Sequence, residues 1–342
     1  MTVLQNPAND SVETLHTAQQ IDFYNRNREC EQTADFEWAN LHQEGDDCSA
    51  PRKIRFSWST EEKVSVLELS ETANFRDALK VEVSGEHTYL DNLKIGQTYF
   101  WRVNGSEPWC FTTEDLAPRW IAVDGLANIR DNGGWKTQDG RRMKQGLIYR
   151  GCEMEWLSYH DRIVYAPIHP VVTEAGKKVM LEDLGIKTDL DLRIAAQGYL
   201  EKSPLGESVK FRLIPVSPYH NFLSDENKPA VKRIFELLAD ENAYPIYYHC
   251  WGGIDRTGTI AFLLEAYLGV SWEDMILDYE ISSIACWGKR TRNSSNFTKF
   301  QQTLAQYDPE GSLQSRTEKF LLSCGISRDT LQRLRDNLLC EQ

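Results

Sequence analysis

The residues best placed for chemistry lie in one short run, His249-Cys250-Trp251-Gly252-Gly253-Ile254-Asp255-Arg256-Thr257-Gly258. It satisfies HCxxGxxR[ST] in full, and each position has a physical task. Cys250 is the nucleophile, and a helix N-terminus beside Arg256 would hold its thiol well below the usual value of about 8.5. The spacer of Trp251, Gly252, Gly253, Ile254 and Asp255 lets the chain curl, so that successive N–H groups point at one phosphoryl group. Gly252 and Gly253 permit the close backbone approach and unusual φ values that such a nest requires. Arg256 offers a planar fork to two equatorial oxygens, which a lysine could not match. Thr257 can hydrogen-bond the sulfur, and His249 stands beside the nucleophile as support. A bare Cys-x5-Arg is expected by chance roughly 0.3 times in a chain this long, but adding His, Gly and Thr lowers that to roughly 10⁻⁵–10⁻⁴. The run therefore reads as a phosphate-binding nucleophile loop rather than an inert buried thiol.

Such a loop needs a strand to deliver the thiol and a helix to follow it. YPIYYHC (244–250) is a β-rich run ending at the cysteine, and GTIAFLLEAYLG (258–269) has apolar residues at helical spacing and stops at Gly269. LGIKTDLDLR (184–193) and VKFRLIPVS (209–217) read as buried strands, and PAVKRIFELLAD (229–240) as an amphipathic helix. The stretch after Pro118 thus has the alternating grammar of an α/β layer fold. Upstream, IRFSW, KVSVLELS, LKVEVSG, HTYLDNL, QTYFWRV and WCFTT are short alternating segments punctuated by Gly and Asn. They predict an antiparallel β-sandwich with Trp58 and Trp101 in its core. The expected architecture is multidomain: an irregular segment over 1–51 with a short helix near Val12–Tyr24, an all-β sandwich over 52–115, and an α/β domain over 116–342. Every candidate catalytic residue lies in the last of these. A fragment beginning near Leu116 is therefore expected to fold and to act on small aryl phosphates.

Composition narrows the partners. The net charge of −13 is uneven, with 10 Lys and Arg against 21 Asp and Glu over residues 1–115 and 28 against 30 beyond. Nucleic acid is not expected as a partner, since no basic surface offsets phosphate repulsion. No stretch approaches eighteen apolar residues, so no transmembrane segment is expected, and MTVLQNPANDSVETLH carries no leader pattern. The eight cysteines are dispersed with no CxxC, and His160 and His169 lack ligand spacing, so neither metal nor cofactor is called for. Cys30 and Cys48 flank an acidic stretch and either form a disulfide or remain thiols.

The loop resembles that of the protein tyrosine phosphatase superfamily, and within it the bacterial tyrosine/dual-specificity phosphatases whose loop reads HCxxGxDRTG. Asn128-Ile-Arg130-Asp131-Asn-Gly133-Gly134 resembles their NFRDxGG opening, Leu147-Ile-Tyr149-Arg150-Gly151 their LYRSG segment, and Asp191-Leu192-Arg193 their DLR strand end. Trp272 to Tyr279, Gly325-Ile-Ser and a final Leu-rich helix extend the likeness to about 118–340. Leu93-x-x-Gly96-x-x-Tyr99 is similar to the tyrosine corner of fibronectin type III domains, in which a Tyr hydroxyl returns to the backbone beside it. The resemblance implies an α/β phosphatase-like domain behind a fibronectin/Ig-like sandwich. It also implies phosphomonoester hydrolysis through a cysteinyl-phosphate, acting on a phosphorylated protein, chiefly at tyrosine, or on a small phosphomonoester.

Two departures bear on mechanism. Ile254 stands where relatives often carry Lys, removing a charge that would favour inositol phosphates or phosphoinositides. Pro215-Val-Ser-Pro218-Tyr-His220-Asn-Phe lacks the Trp-Pro-Asp triplet that supplies the acid in the familiar eukaryotic enzymes. Asp255 is the family-consistent proton donor, with Asp225 and His220 of the neighbouring loop as alternatives. Arg150, Arg193 and Asp131 are read as braces of the loop, and Arg130 as a brace or as a lining of its mouth. The rival readings are an inositol-phosphate or phosphoinositide phosphatase, and a catalytically silent phospho-binding module. Fibronectin-like domains on bacterial enzymes are common outside the cytoplasm, which tilts the expected location toward a periplasmic or secreted one.

Overall fold

The computed structural model describes residues 2–29, 47–155, 170–194, 201–285 and 288–341. These form two units, Met1–Ala18 with Pro51–Ile121, and Gln19–Ala50 with Ala122–Gln342.

The first unit holds two sheets. One orders β1 (Val3–Asn6), β3 (Ile54–Ser59) and β6 (His87–Leu90) as β1-β3-β6. The other contains β2 (Ser11–Glu13), β4 (Val64–Ser70), β5 (Leu79–Ser84), β7 (Thr98–Val103) and β8 (Trp109–Thr113), in the order β2-β8-β7-β4-β5. Pairing is antiparallel except between β2 and β8. Strand alternation on β7 turns Tyr99, Trp101 and Val103 inward, and the apolar face so made carries the core. The Phe56 ring meets Trp101 edge-on at 5.3 Å, and Tyr99 stacks on Phe111 at 5.6 Å. The Tyr99 hydroxyl accepts the Lys94 N–H at 2.9 Å.

Of residues 1–51, the described ones are not the irregular segment that their polarity suggests. Val12 lies in β2 rather than in a helix, and the helix comes later, as α1 (Ala18–Glu29). Its buried positions are Gln20, Phe23, Tyr24 and Asn27, at helical spacing but half polar. Apolar periodicity therefore cannot find it. Both α1 and residues 47–50 belong to the second unit, so a contiguous boundary at 116 wrongly separates them from it.

That unit is built on a five-stranded sheet of β9 (Arg130–Asp131), β10 (Ile148–Gly151), β11 (Thr188–Asp191), β12 (Lys210–Leu213) and β13 (Ile246–His249). The order is β12-β11-β13-β10-β9, with β10, β13, β11 and β12 parallel and β9 antiparallel to β10. Strands β10, β11 and β13 are buried throughout, whereas β12 alternates exposed and half-buried residues as an edge strand. The run at 209–217 is therefore not the buried strand that its hydrophobicity suggests. In register, His249 of β13 lies between Gly151 and Asp191, so three parallel strands end together where Cys250 begins. Crevices at such carboxyl ends are where open parallel sheets bind ligands.

The helices are α2 (Glu174–Lys178), α3 (Lys228–Leu238), α4 (Asp255–Leu268), α5 (Trp272–Ile281), α6 (Ser295–Ala305), α7 (Leu313–Ser323) and α8 (Arg328–Leu338). α4 is buried on nearly every face and ends at Gly269, whose φ of 91° closes it. Phe262 of α4 packs edge-on against Trp272, Phe297 and Phe300, which fixes α5 and α6 around it. Among the described residues no helix is long and apolar enough to cross a membrane.

Candidate active site

β13 delivers Cys250 at the end of the sheet, and α4 starts five residues later at Asp255. The first bond of that helix runs from the Gly258 N–H to the Ile254 carbonyl. The N–H groups of the preceding turn therefore belong to the loop rather than to the helix ladder. Ile254 is buried at the N-cap, so it faces the interior where a Lys would not be accommodated without a partner.

Two carbonyls of the loop are tied outward. Gly252 O accepts from Asn128 Nδ2 at 3.0 Å, and Gly253 O accepts from Arg150 Nη2 at 3.1 Å. In a trans peptide the C=O and the next N–H point in opposite directions. Anchoring these carbonyls therefore turns the N–H groups of Gly253 and Ile254 toward the concave side, where an anion would sit. Of the two glycines, Gly253 is the one with positive φ, at 70°. A Cβ there would fall 2.3 Å from the carbonyl carbon and oxygen of Gly151.

Cys250 is 3% exposed. Burial pushes its thiol up, but the Arg256 charge and the hydroxyl and N–H of Thr257 outweigh that and hold it below the ordinary thiol range. Thr257 Oγ1 itself is buried without a hydrogen bond of standard geometry, so it acts on the sulfur as a nearby dipole rather than a fixed bond. Arg256 is half-buried, with Nη1 3.4 Å from the Leu192 carbonyl. His249 places Nε2 3.0 Å from Asp189 Oδ1 and Nδ1 3.2 Å from the Cys250 carbonyl, and since both oxygens accept, both nitrogens donate only in the imidazolium form. Burial alone would discharge this ring, but Asp191 and Asp189 raise its pKa above the ordinary value.

The braces separate into two groups. Arg130 and Arg150 share the buried carboxylate of Asp278, with Arg130 Nε at 2.7 Å and Arg150 Nη1 at 2.5 Å. Burial opposes the charge on Asp278, and the two guanidinium groups overcome it. Nearby Glu265 is raised well above the carboxylate range, by burial and by Asp278, and accepts from Asn132 Nδ2. Arg130 is fully buried, with Nη1 2.6 Å from Asn128 Oδ1. It therefore orients Asn128 and does not line the mouth. Arg193 forks onto Asp191 and reaches Glu153 at 2.7 Å, bracing the strand end rather than the loop. Burial holds the Glu153 carboxyl up at about 7 against that arginine. Asp131 accepts the N–H groups of Gly133 and Gly146, fixing the turn that precedes β10.

Asp255 begins α4 and lines an open cleft of about 380 Å³ with Pro218, Tyr219, Lys289, Arg290, Ser294 and Asn296. Arg290 grips its carboxylate with Nε at 2.9 Å and Nη2 at 3.1 Å, and the Tyr219 hydroxyl donates to it at 2.5 Å. Burial raises the Asp255 pKa, but Arg290 and Tyr219 more than offset this, so the group rests as an aimed carboxylate. His220 and Asp225 do not line the cleft. Asp225 is exposed and pairs with Lys228 at 2.8 Å, and His220 keeps a buried Nδ1 without a hydrogen bond. Among the described residues no His, Cys, Asp and Glu gather as metal ligands. Cys30, His160 and His169 lie outside the described residues.

Arg290, Tyr219, Asn128 and Asp278 carry the geometry, yet sequence reasoning assigns them no role. The basic run Lys289-Arg290-Thr291-Arg292 was the available signal for the first. Asp278 is hidden inside the Trp272–Tyr279 stretch.

The sequence model described as the tyrosine phosphatase family matches residues 121–340. A protein of Cupriavidus necator, provisionally named a tyrosine-protein phosphatase, is 24% identical over 184 residues, 46% of this chain and 61% of its own. A tyrosine-protein phosphatase of Nostoc commune is 27% identical over 134 residues, 33% of this chain and 45% of its own. The chain thus spans less than two thirds of the length of these relatives. Among solved structures, the core catalytic domain of the PP-IP phosphatase SIW14 from S. cerevisiae, in complex with citrate, aligns over 56% of this chain and 89% of that one. The TM-score is 0.32 and the identity 14%.

Proposed function

Because the chain belongs to the tyrosine phosphatase family, we propose that it hydrolyses phosphate monoesters through a cysteinyl-phosphate, with phosphotyrosyl peptides as its main substrates. The observation that carries this reading is the buried Cys250 thiol, held below its ordinary pKa beside Arg256 at the start of α4.

In the first step the Cys250 thiolate attacks phosphorus in line. An S–P bond forms as the bond to the leaving oxygen breaks, while Arg256 and the loop N–H groups hold the three other oxygens. Asp255 protonates the leaving oxygen. At rest it is ionised, and a dianionic phosphate settling beside it raises its pKa so that it takes up the proton it later gives. In the second step the Asp255 carboxylate removes a proton from water, the oxygen attacks phosphorus, and the S–P bond breaks to return the thiolate and release inorganic phosphate. Arg290 and Tyr219 aim the carboxylate through both steps.

A second reading has one observation in its favour. Lys289 lines the cleft beside Asp255, and a cation there suits a substrate with a further anionic group, such as an inositol phosphate. Comparing kcat/KM for phosphotyrosyl peptides and inositol phosphates decides between the two. The broader reading is tested by Cys250→Ser, which should abolish p-nitrophenyl phosphate hydrolysis and retain binding of a phosphate-like anion. Turnover by a clean Cys250→Ser preparation overturns it, and absence of turnover by the unaltered chain leaves the silent binding module. We also read the first unit as a fibronectin type III-like sandwich, supported by its two sheets and the Tyr99–Lys94 bond.

A further inference from the structure

The segment just before the first unit's β3 does something that the family match, which starts at residue 121, does not contain. Residues 47–50 belong to the second unit, with Ser49 buried and Ala50 exposed. Gln20 of α1 donates Nε2–H to the carbonyls of Cys48 and Ala50, both at 2.9 Å, and the Cys48 N–H reaches the Ile284 carbonyl at 3.0 Å. Between them Ser49 is 2% exposed. Its N–H and hydroxyl both donate to Asp47 Oδ1, at 3.0 and 2.6 Å. A hydroxyl has one proton, so with that proton committed to Asp47 its lone pairs face the other way. There they accept the N–H of Asn128 at 2.8 Å.

Asn128 is fully buried, in the left-handed region at φ 58°, a conformation that a non-glycine residue holds only when its surroundings fix it. Its backbone is fixed by Ser49 and its carboxamide oxygen by Arg130, which leaves Nδ2 aimed at the Gly252 carbonyl, 3.0 Å away. We infer that Ser49 is a positioning residue for the catalytic loop: through Asn128 it sets the Gly252–Gly253 peptide plane and thus the direction of the Gly253 N–H. The inference rests on the reading of residues 249–257 as a phosphate loop. It adds that a residue from the N-terminal segment, far from the loop in sequence, is part of that loop's support.

The test uses the full chain with Ser49→Ala and Ser49→Thr. Ser49→Ala leaves the Asn128 N–H without its acceptor, and kcat/KM for p-nitrophenyl phosphate should fall by about 5- to 50-fold, the range for one orphaned buried donor. The affinity for vanadate should weaken in step. The pH profile of Cys250 alkylation by iodoacetate, followed on the Cys250 peptide by mass spectrometry, should move upward because a misdirected N–H no longer steadies the anion site. Ser49→Thr keeps the hydroxyl and should recover all three. A Ser49→Ala protein that is merely less stable, with vanadate affinity and alkylation profile unchanged, overturns the inference, and so does a Thr variant as impaired as the Ala one. If Ser49→Ala does not fold, Ser49→Cys, near-isosteric but a poor acceptor, takes its place: weakened vanadate binding and a raised alkylation profile support the role, and no change in either overturns it. Alkylation needs no turnover, so an inactive parent chain counts against the proposed function and not against the positioning role.

Discussion

Gly253→Ala is the substitution whose effect follows most directly from the geometry. The residue sits at φ 70°, and a Cβ would lie 2.3 Å from the carbonyl carbon and oxygen of Gly151 and 2.8 Å from the Cys152 nitrogen. Carbon contacts are comfortable near about 3.5 Å, so either the loop or β10 must retreat by roughly 1 Å. β10 cannot give way, because Gly151 is paired with His249 inside a buried strand. The loop must move instead. The left-handed conformation adds about 1–2 kcal/mol for any L-residue, and a displacement of roughly 1 Å at a reacting centre costs on the order of 10²-fold in rate. Gly253→Ala should therefore lose about 10²-fold or more in kcat/KM toward p-nitrophenyl phosphate and bind vanadate correspondingly less well. Gly185→Ala is the control: φ there is 65°, but no atom lies within 4 Å of the added Cβ. It should lose about 1–2 kcal/mol of stability, with kcat/KM intact. A Gly253→Ala enzyme within a few-fold of the parent would refute the close-approach reasoning.

Asp278→Asn strips the carboxylate shared by two buried guanidinium groups and should cost about 3–5 kcal/mol in urea unfolding; a cost near zero would mean the pair is supported elsewhere. The Cys250 thiol lies below its ordinary value, so the thiolate is present above that lowered pKa and is lost as pH falls through it. Its alkylation should stay fast into the neutral range, and Thr257→Ala should move the inflection upward. An inflection at the ordinary thiol value in the parent chain contradicts the electrostatic account. A fragment starting at Leu116 lacks α1 and Ser49, and should be poorly soluble or at least about fivefold less active than the full chain. Full activity in that fragment would mean these residues are dispensable.

The strand–loop–helix order around Cys250 was legible because it is local: the loop falls within one short stretch of chain, and β13 and α4 flank it with strong periodicity. The strands of the first unit were legible for the same reason, each being a short alternating run. What escaped was assembled from a distance. Asp278 lies 128 residues from Arg150, and Arg290 lies 35 from the Asp255 it grips. Neither spacing leaves a mark on composition or period. The N-terminal segment hides its helix because α1 buries Gln20 and Asn27 beside Phe23 and Tyr24. Cutting a chain into consecutive domains also cannot represent a unit that takes in residues 19–50 and then resumes at 122.

In the proposed mechanism phosphorus is bonded to the Cys250 sulfur during turnover. Rapid acid quench of the enzyme with p-nitrophenyl phosphate, followed by peptide mapping, measures this directly. The same quench on Asp255→Asn should show more of the adduct, since the base for its hydrolysis is gone. One phosphoryl group should be found on the peptide containing Cys250, and none in Cys250→Ser. Turnover without any adduct on that peptide, in both the parent and Asp255→Asn, would contradict the mechanism.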